Sequence, residues 1–438
     1  MSSAKSGWRH RVPFFYGWVV VASVFLAMSV CYGVYYTFSV FFVALLEQFG
    51  WSRASTAGVF SLFVMATAVG SVASGALIDR FGPSRVIPVG GMLLAAGLFG
   101  TSRLTELWEF YLYFGVLCGL GLAFAGWVPG VIVVTSWFST RQGLAMGIAS
   151  AGNGLGTVVF VPLSQYVIST AGWRSAYLLL AGLALFCIAP QAALLLVHRP
   201  EDLGMKPDGV VGGSTDVSSR RPPKREIMVV DREWASRRWS VADAVGTGRF
   251  WLLTATLALA VLTHQMLFVH QAAYLVDGGY DRMLAASVVG LIGLASIPSK
   301  IMWGIVCDRL GRERAFTLGT VALLVGIALL VLARVVPSPA ILLLYVAVFA
   351  MGYAATPPIL STAAADVFGG RSFGAIYGLV CIGQGVGSAF GAWVAGYIFD
   401  VSGSYAAAFI VGALSAIAGS GCLWLAAPRM VRRVVRKA

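Results

Sequence analysis

The sequence predicts an all-α membrane protein with twelve transmembrane helices arranged as two bundles of six. Three observations predict this fold. Hydrophobic residues make up 58% of the 438-residue chain and charged residues only 11%, whereas about a quarter of the residues in soluble globular proteins are charged. Apolar stretches long enough to cross a bilayer recur along the whole chain. A single long polar segment separates the first six of these stretches from the last six.

Each helix is predicted from its own apolar stretch. In the first half the stretches cover residues 14–45, 55–78, 86–103, 107–137, 143–169 and 176–197. In the second half they cover residues 250–276, 284–307, 315–333, 340–365, 373–399 and 405–427. Most reach the roughly 20 residues that span the hydrocarbon core as a helix. Because the first stretch is long and no small-residue cleavage site follows it, we expect it to stay in the mature protein.

The polar segment predicts the domain organisation. Residues 199–248 are rich in Gly, Pro, Ser and charge, a composition typical of a linker. We therefore predict a six-helix bundle at 1–198, a cytoplasmic linker at 199–248 and a second bundle at 249–438. Basic runs at 220–225 and 429–437 are interpreted as orientation signals rather than as binding sites for anionic lipid headgroups.

Basic residues also predict the direction of insertion. An even number of spans places both termini on one side of the membrane. If that side is the cytoplasm, few of the 31 lysines and arginines face the outside, and one, Lys300, lies within a span. The outside residues are Arg53, Arg103, Arg174, Arg282 and Arg334. Since cytoplasmic loops are enriched in Lys and Arg, the sequence predicts a multi-pass protein of the inner (plasma) membrane with cytoplasmic termini. The net charge of +13 then follows from topology and does not indicate nucleic-acid binding.

One motif occurs twice, after spans 2 and 8. The copies read Gly75-Ala-Leu-Ile-Asp79-Arg80-Phe-Gly82-Pro83 and Gly304-Ile-Val-Cys-Asp308-Arg309-Leu-Gly311-Arg312. We expect the first glycine of each copy to permit close helix approach. We expect the charged pairs, Asp79 with Arg80 and Asp308 with Arg309, to make surface contacts that form and break as the two bundles move, which is a coupling or gating role.

On this motif the chain resembles the major facilitator superfamily, and the resemblance covers essentially the whole sequence. Within it the chain is similar to the monocarboxylate porter group and its bacterial oxalate/formate antiporter-like relatives. The residues that carry this are Tyr16-Gly17-Trp18-Val19-Val20, Trp137-Phe138 with Arg141, Leu144, Ala145, Gly147, Ala151, Gly152 and Gly156, and Arg199-Pro200-Glu201-Asp202-Leu203-Gly204. The resemblance implies two bundles around a central cavity and a carboxylate substrate moved by alternating access. The first motif copy departs from the family pattern at Pro83, where the second copy has Arg312.

Lys300 is the leading candidate for a substrate-binding residue. Ionisable side chains inside a membrane are costly and are functional by default, and the sequence places only Lys300, His264 and His270 within spans. With no acid in a span to pair with it, a charged lysine needs a solvated cavity or an anionic ligand. The alternative is a side chain that extends to the cytoplasmic interface. In the porter group, an Asp and an Arg four residues later occupy the places that Ser296 and Lys300 hold here, so the resemblance implies that the base is kept and the acid is missing.

The two histidines are candidates for coupling, because histidine titrates nearest to physiological pH. His264 lies near the middle of span 7, and we predict that it faces the cavity; the alternative is a packing histidine. His270 lies closer to the outside, with Tyr274 one turn further on, and is predicted to belong to an outer gate. Helical spacing predicts the neutral lining: Tyr32 and Tyr36 share a face of span 1 with Tyr35, and Tyr377 and Gln384 share a face of span 11.

Several function classes are disfavoured. The sequence shows no catalytic arrangement, no nucleotide-binding loop and no metal-ligand spacing, so an enzyme, a resident cofactor and a metal site are not indicated. Three functions remain open. The first is a carrier of small monocarboxylates, coupled to protons or exchanging anions. The others are a carrier of larger aromatic or dicarboxylic acids, and a carboxylate sensor that does not transport.

Overall fold

The computed structural model describes residues 14–138, 142–206, 227–369 and 373–434 of the chain. The side chains of residues 79, 142–144, 227, 374, 375, 433 and 434 lie outside this description. Arg141, which follows Trp137-Phe138, the Asp79 side chain and the basic cluster at 220–225 therefore lie outside the described residues. So do residues 435–437 of the C-terminal basic run.

The first half of the chain forms helices almost throughout. The helices are α1 (Gly17–Phe49), α2 (Arg53–Phe81), α3 (Pro83–Thr101), α4 (Leu107–Phe110), α5 (Gly119–Ala125), α6 (Trp127–Trp137) and α7 (Gln142–Leu195). A π-helical stretch, Tyr111–Cys118, joins α4 to α5, so that α4, α5 and α6 together make one span. A 3-10 turn, Pro200–Leu203, follows α7 and ends at Gly204, whose φ of 67° favours glycine.

The second half repeats the helical pattern. Two short helices, α8 (Arg232–Ser236) and α9 (Val241–Val245), precede α10 (Gly248–Asp277), α11 (Arg282–Leu310), α12 (Arg312–Val335), α13 (Pro339–Ala354), α14 (Thr356–Phe368), α15 (Phe373–Val380), α16 (Ile382–Ser402) and α17 (Ala406–Ala426). Strands β1 (Ile227–Val229) and β2 (Arg432–Val434) pair antiparallel, with Met228 opposite Arg433. A 3-10 turn, Pro428–Met430, lies just before β2.

The prediction of a twelve-span helical membrane protein is confirmed. Among the described residues, 11 helical segments are long and apolar enough to cross a membrane. One of them, Ala145–Leu195, has 51 residues, far more than the roughly 20 that one span needs. At Gly172 the backbone leaves the helical region with a φ of 84°, a conformation that costs glycine little. The long helix therefore makes two spans, before and after Gly172.

The chain divides into two compact units. The first comprises Met1–Gln48 and Leu62–Ser218, and the second comprises Phe49–Ser61 and Ser219–Ala438. The chain thus passes from one unit to the other inside the predicted linker. The beginning of α2 belongs by its contacts to the second unit, whereas the rest of that helix belongs to the first.

Part of the predicted linker is packed on the second unit. Trp239 is buried, and its ring lies edge-on to Phe368 with centroids 5.1 Å apart. The Trp234 indole N–H donates to the Val367 carbonyl at 2.8 Å. These contacts tie the residues before α10 to the end of α14.

Glycines fix the closest helix contacts in both units in the same way. In the first unit, a Cβ at Gly156 would lie 2.0 Å from the Ser29 carbonyl oxygen of α1, and one at Gly152 would lie 2.4 Å from the Phe25 oxygen. In the second unit, a Cβ at Gly387 would lie 2.1 Å from the Ala258 oxygen of α10. Gly383 and Gly391 lie one turn away on either side. A Cβ at these positions would lie 2.4 Å from the Thr254 oxygen and 2.2 Å from the Leu262 oxygen of α10. The α16 glycines therefore serve close packing against α10, because no larger residue fits there.

Candidate functional site

Lys300 lies in α11, two residues after Pro298, and its side chain is half-buried. Its Nζ lies 5.8 Å from the ring centroid of Tyr353, within the range of a cation–π contact. Lys300 makes no ion pair or hydrogen bond with any residue that the structure describes. A partly buried ammonium that lies over an aromatic ring, with no acid beside it among the described residues, is well suited to attract an anion.

Tyr353, near the end of α13, brings two of the predicted residues together. Besides Lys300, it contacts the His264 ring edge-on with centroids 5.8 Å apart, and the Phe268 ring at 5.0 Å. His264 and Phe268 lie one turn apart on α10, so both face Tyr353. Sequence reasoning missed Tyr353. The sequence feature that could have indicated Tyr353 is its place three positions before Thr356-Pro357-Pro358, where α13 ends and α14 begins.

His264 is buried, with 7% of its surface exposed. It lines a cavity of about 10 Å³ inside the second unit, together with residues of α12, α13, α14 and α17. His264 therefore lies in the interior of this unit, with a small cavity beside its ring.

Ser296 does not take the place of the acid that the resemblance aligns there. Its hydroxyl donates to the Gly293 carbonyl of its own helix at 2.7 Å, and the residue is 2% exposed. The hydroxyl is therefore satisfied without Lys300.

The predicted neutral lining is divided between the two units. In the first unit, Tyr32 and Tyr36 are half-buried, and both rings contact Tyr35, with centroids 5.9 Å and 4.9 Å away. In the second unit, Tyr377 is half-buried and stacks on Phe373 at 5.6 Å.

Gln384 is exposed at the surface of α16. The exposed apolar residues of the same helix follow a separate stripe with a spacing of about four residues. They are Ile382, Val386, Phe390, Trp393 and Tyr397. At about 100° per residue, Gln384 points roughly 200° away from Ile382. The amide thus lies on a face of α16 distinct from the apolar stripe that suits lipid.

The second motif copy forms a charged cluster at the predicted cytoplasmic face. Arg312 donates from Nε to Asp366 at 2.8 Å and from Nη1 to Asp308 at 2.9 Å. The Arg312 and Asp366 side chains are 7% and 9% exposed, whereas that of Asp308 is 65% exposed. Loss of the buried Arg312–Asp366 pair would leave a buried charge without its partner, whereas loss of the contact to exposed Asp308 would cost little. Sequence reasoning noted Arg312 only as a departure between the copies and missed Asp366.

A neighbouring pair extends this cluster. Glu313 is 4% exposed and accepts from the Arg429 backbone N–H at 3.0 Å and from its guanidinium at 3.3 Å. The segment after α17 is thereby tied to the start of α12. Arg80 and Arg309, the other predicted gating residues, are exposed, and Arg80 lies over the Phe81 ring at 5.1 Å.

One expectation about the motif is wrong. Among the described residues, a Cβ at Gly304 would meet nothing within 4 Å, and one at Gly75 would meet only Ile132 at 3.9 Å. The first glycine is therefore not needed for close helix approach in this part of the chain. The later glycines, Gly82 and Gly311, are the ones with a backbone role. Their φ values are 78° and 90°, and each turns the chain directly into the next helix.

A second charged cluster lies at the predicted outer face, within the second unit. Asp400 accepts from the backbone N–H groups of Arg53 and Ala54 at 2.9 Å and 2.7 Å, and so caps the first turn of α2. The Arg53 guanidinium pairs with Asp277 at 2.7 Å and donates to the Tyr405 hydroxyl at 2.6 Å. Three loops that the sequence assigns to the outside thus share one network.

His270 joins this network and is 1% exposed. Its Nε2 lies 2.9 Å from the Ala392 carbonyl oxygen, which can only accept, so Nε2 carries the proton. In the neutral ring Nδ1 then accepts from the Tyr405 hydroxyl at 3.0 Å. The neutral ring is therefore fully hydrogen-bonded. Its predicted role at an outer gate stays a prediction.

Known proteins resemble this chain over most of its length. The sequence profile of the Major Facilitator Superfamily matches residues 24–368 and 293–438. The chain is 30% identical over 409 residues to "Monocarboxylate transporter 13" of Bos taurus. This alignment covers 93% of this chain and 88% of that protein. It is also 30% identical over 437 residues to "Monocarboxylate transporter 12" of Rattus norvegicus, with 96% and 87% covered.

A solved structure shares the fold. It is described as a bacterial homolog of the human lysosomal transporter Spinster in an inward-facing and occupied conformation. It superposes with a TM-score of 0.71 at 15% identity and covers 95% of this chain and 97% of that one. Together with the repeated motif and the twelve spans, these matches show a multi-pass membrane transporter rather than an enzyme: the chain belongs to the major facilitator superfamily and, within it, to the monocarboxylate transporter family.

Proposed function

We propose that this protein is a secondary active transporter of small monocarboxylates such as lactate or pyruvate, which works by alternating access and is coupled to protons or to anion exchange. The observation that carries the proposal is Lys300, a half-buried cation without an ion-pair partner among the described residues, held against Tyr353. The names of the relatives support the substrate class.

The charge balance around Lys300 favours a monoanion. A single ammonium can neutralise one carboxylate, and the Tyr353 ring beside it adds no second positive charge. A dianion would leave one charge uncompensated in a partly desolvated place, which is costly. Small monocarboxylates therefore fit better than dicarboxylates.

Roles for the remaining residues follow from this proposal. Tyr32, Tyr36, Tyr377 and Gln384 would hydrogen-bond carboxylate and hydroxyl oxygens of the substrate. Asp79, Arg80, Asp308 and Arg309 would take part in the conformational cycle at the cytoplasmic face, and His270 at the outer face. Residues 1–198 and 249–438 would be the two moving bundles, joined by 199–248, in the inner membrane with both termini cytoplasmic.

A specific observation favours a second candidate, a carrier of larger aromatic acids. Tyr32, Tyr35 and Tyr36 form a continuous row of rings in α1, and Tyr353 lies in a similar row with Phe349 and Phe268 in the second unit. Such rows offer stacking surfaces for a flat ligand.

Counterflow tests the proposal. Purified protein in liposomes loaded with unlabelled lactate is expected to take up labelled lactate. The Lys300→Ala protein is expected to lose about 10- to 100-fold in rate, because it removes a charge-assisted contact to the carboxylate. Lys300→Arg keeps the charge and should retain measurable exchange.

The matched control is Lys206→Ala, which removes an exposed lysine outside the predicted spans. Folding of each variant is checked by gel filtration in detergent. Unimpaired exchange in a folded Lys300→Ala protein would contradict the assignment of Lys300. Counterflow of labelled benzoate or of a larger aromatic acid, without counterflow of labelled lactate, would select the second candidate.

A further inference from the structure

The cavity beside His264 has the properties of a site for one water molecule. Its volume is about 10 Å³, close to the minimum that holds a single water, which also needs two to four polar partners. The polar side chains that line it are His264, Thr320 and Thr356, and Gly319 and Gly352 bring backbone close to it. It lies in the interior of the second unit, where α10, α12 and α14 meet.

The three polar side chains share an unusual feature. A threonine hydroxyl inside a helix commonly donates to a carbonyl three or four residues earlier, as Thr256 does to Leu252 and Thr317 to Glu313. Thr320 and Thr356 are the two threonines in the described part of the chain whose hydroxyls bond to none of its residues, and His264 likewise has no hydrogen-bond partner there. The bonded threonines are Thr37, Thr56, Thr67, Thr101, Thr105, Thr135, Thr157, Thr170, Thr247, Thr254, Thr256, Thr263, Thr317 and Thr362.

Burial makes this arrangement costly unless a ligand satisfies it. His264, Thr320 and Thr356 are 7%, 9% and 4% exposed, and buried polar groups without partners destabilise a fold. One water that bonds to the imidazole and to both hydroxyls would satisfy all three groups. The same water would give the imidazole a route for a proton in a place from which bulk solvent is largely excluded.

The surroundings of His264 connect this site to Lys300. Of the titratable groups, Tyr353 contacts the imidazole directly and Lys300 contacts the same ring of Tyr353. The residues that α12 and α17 bring to the cavity, including Phe316, Leu323 and Ala416, do not titrate. A positive charge on Lys300 therefore opposes protonation of His264 across a low-dielectric gap.

We propose that His264 carries the coupling proton of this transporter, received through a water molecule held by Thr320 and Thr356. A carboxylate bound at Lys300 cancels the charge that opposes protonation, so that anion binding and proton binding strengthen each other. By linkage the effect is mutual. This inference rests on the proposed function, because it needs a carboxylate at Lys300.

The test compares two activities of the same purified protein in liposomes. Exchange of labelled for unlabelled lactate at equal pH on both sides requires no net proton movement. Accumulation of labelled lactate driven by a proton gradient does require net proton movement. Protein-free liposomes measure the passive flux of the neutral acid, which is subtracted. We expect the unmodified protein to do both. His264→Gln, which keeps hydrogen-bonding groups but does not titrate, is expected to retain exchange and to lose gradient-driven accumulation.

A second pair of variants tests the water site. Thr320→Val and Thr356→Val remove one hydroxyl each with little change in shape, and each should slow gradient-driven uptake about two- to tenfold while exchange persists. Thr256→Val is the matched control, since its buried hydroxyl bonds to its own helix, and it should leave both activities unchanged.

The outcomes separate this inference from the function on which it rests. Gradient-driven accumulation by His264→Gln at the unmodified rate would overturn the inference, as would loss of exchange and accumulation together in a folded His264→Gln protein. Exchange without any gradient-driven uptake in the unmodified protein would overturn the inference and leave the carrier proposal standing. No exchange with any carboxylate would overturn both.

Discussion

At the scale of single residues, the partners of a charged side chain decide whether its charge is compensated within the fold or can bind a ligand. Lys300 and Arg312 belong to the same half of the chain, and both are removed from full solvent exposure. Arg312 is matched by buried Asp366 and by Asp308, so its charge is compensated within the fold. Lys300 has an aromatic ring and no acid among the described residues. Its charge therefore remains available to a ligand.

The Arg312–Asp366 pair gives a prediction about stability. Arg312→Ala leaves the buried Asp366 carboxylate without its partner, and we expect a loss of about 3–5 kcal/mol. The measurement is thermal unfolding in detergent, followed by tryptophan fluorescence. The double variant Arg312→Met with Asp366→Leu should recover most of the loss, because apolar residues replace both charges.

Arg309→Ala is the control, as Arg309 is exposed beside the same cluster, and it should change stability by less than about 0.5 kcal/mol. Equal unfolding temperatures for Arg312→Ala and Arg309→Ala would show that the pair does not stabilise the fold.

At the scale of helices, the two units use one packing solution. Backbone contact between α1 and the first part of α7 depends on Gly152 and Gly156, and that between α10 and α16 depends on Gly383, Gly387 and Gly391. In a membrane, where lipid is as apolar as leucine, such close contact is a main source of helix association. The internal repeat seen in the motif therefore extends to the way the helices pack.

Replacing one of these glycines tests the packing. Gly387→Ala would place a Cβ 2.1 Å from the Ala258 carbonyl oxygen, so α10 and α16 would have to separate. We expect a loss of about 1–3 kcal/mol, the usual cost of overpacking, measured as a lower unfolding temperature in detergent.

The matched control is Gly421→Ala in α17, where the added Cβ meets no atom of the described residues within 4 Å. That change should be neutral or slightly stabilising, because alanine favours the helix over glycine. If both variants unfolded at the temperature of the unmodified protein, the close contact would not limit stability.

At the scale of the whole molecule, charge distribution predicts the orientation in the membrane. Loops such as 402–404 are predicted to lie outside, and the segment around Arg238 inside. Ser404 and Arg238 are both exposed, which makes them suitable reporter positions. The six native cysteines are buried or half-buried, so their reaction with a bulky reagent should be weak.

Labelling of intact cells tests the orientation. A membrane-impermeant maleimide should react with Ser404→Cys and not with Arg238→Cys, because only the former would be reached from outside. After the cells are lysed both should react. The unmodified protein measures the background. The opposite pattern would reverse the orientation and with it the direction in which the two charged clusters face.

The sequence by itself determined the number of spans, the internal repeat, the family and the candidate cation, because apolar length and charge in a membrane allow few alternatives. Lys300 is recognisable from the sequence since a lone base in a span is conspicuous. Only the tertiary structure decided which groups surround it. Tyr353 lies 53 residues away along the chain, and Asp366 looked like an ordinary charge at a helix end until packing buried it against Arg312. Partners of this kind come from helices that are distant in sequence, so the periodicity within one helix cannot predict them.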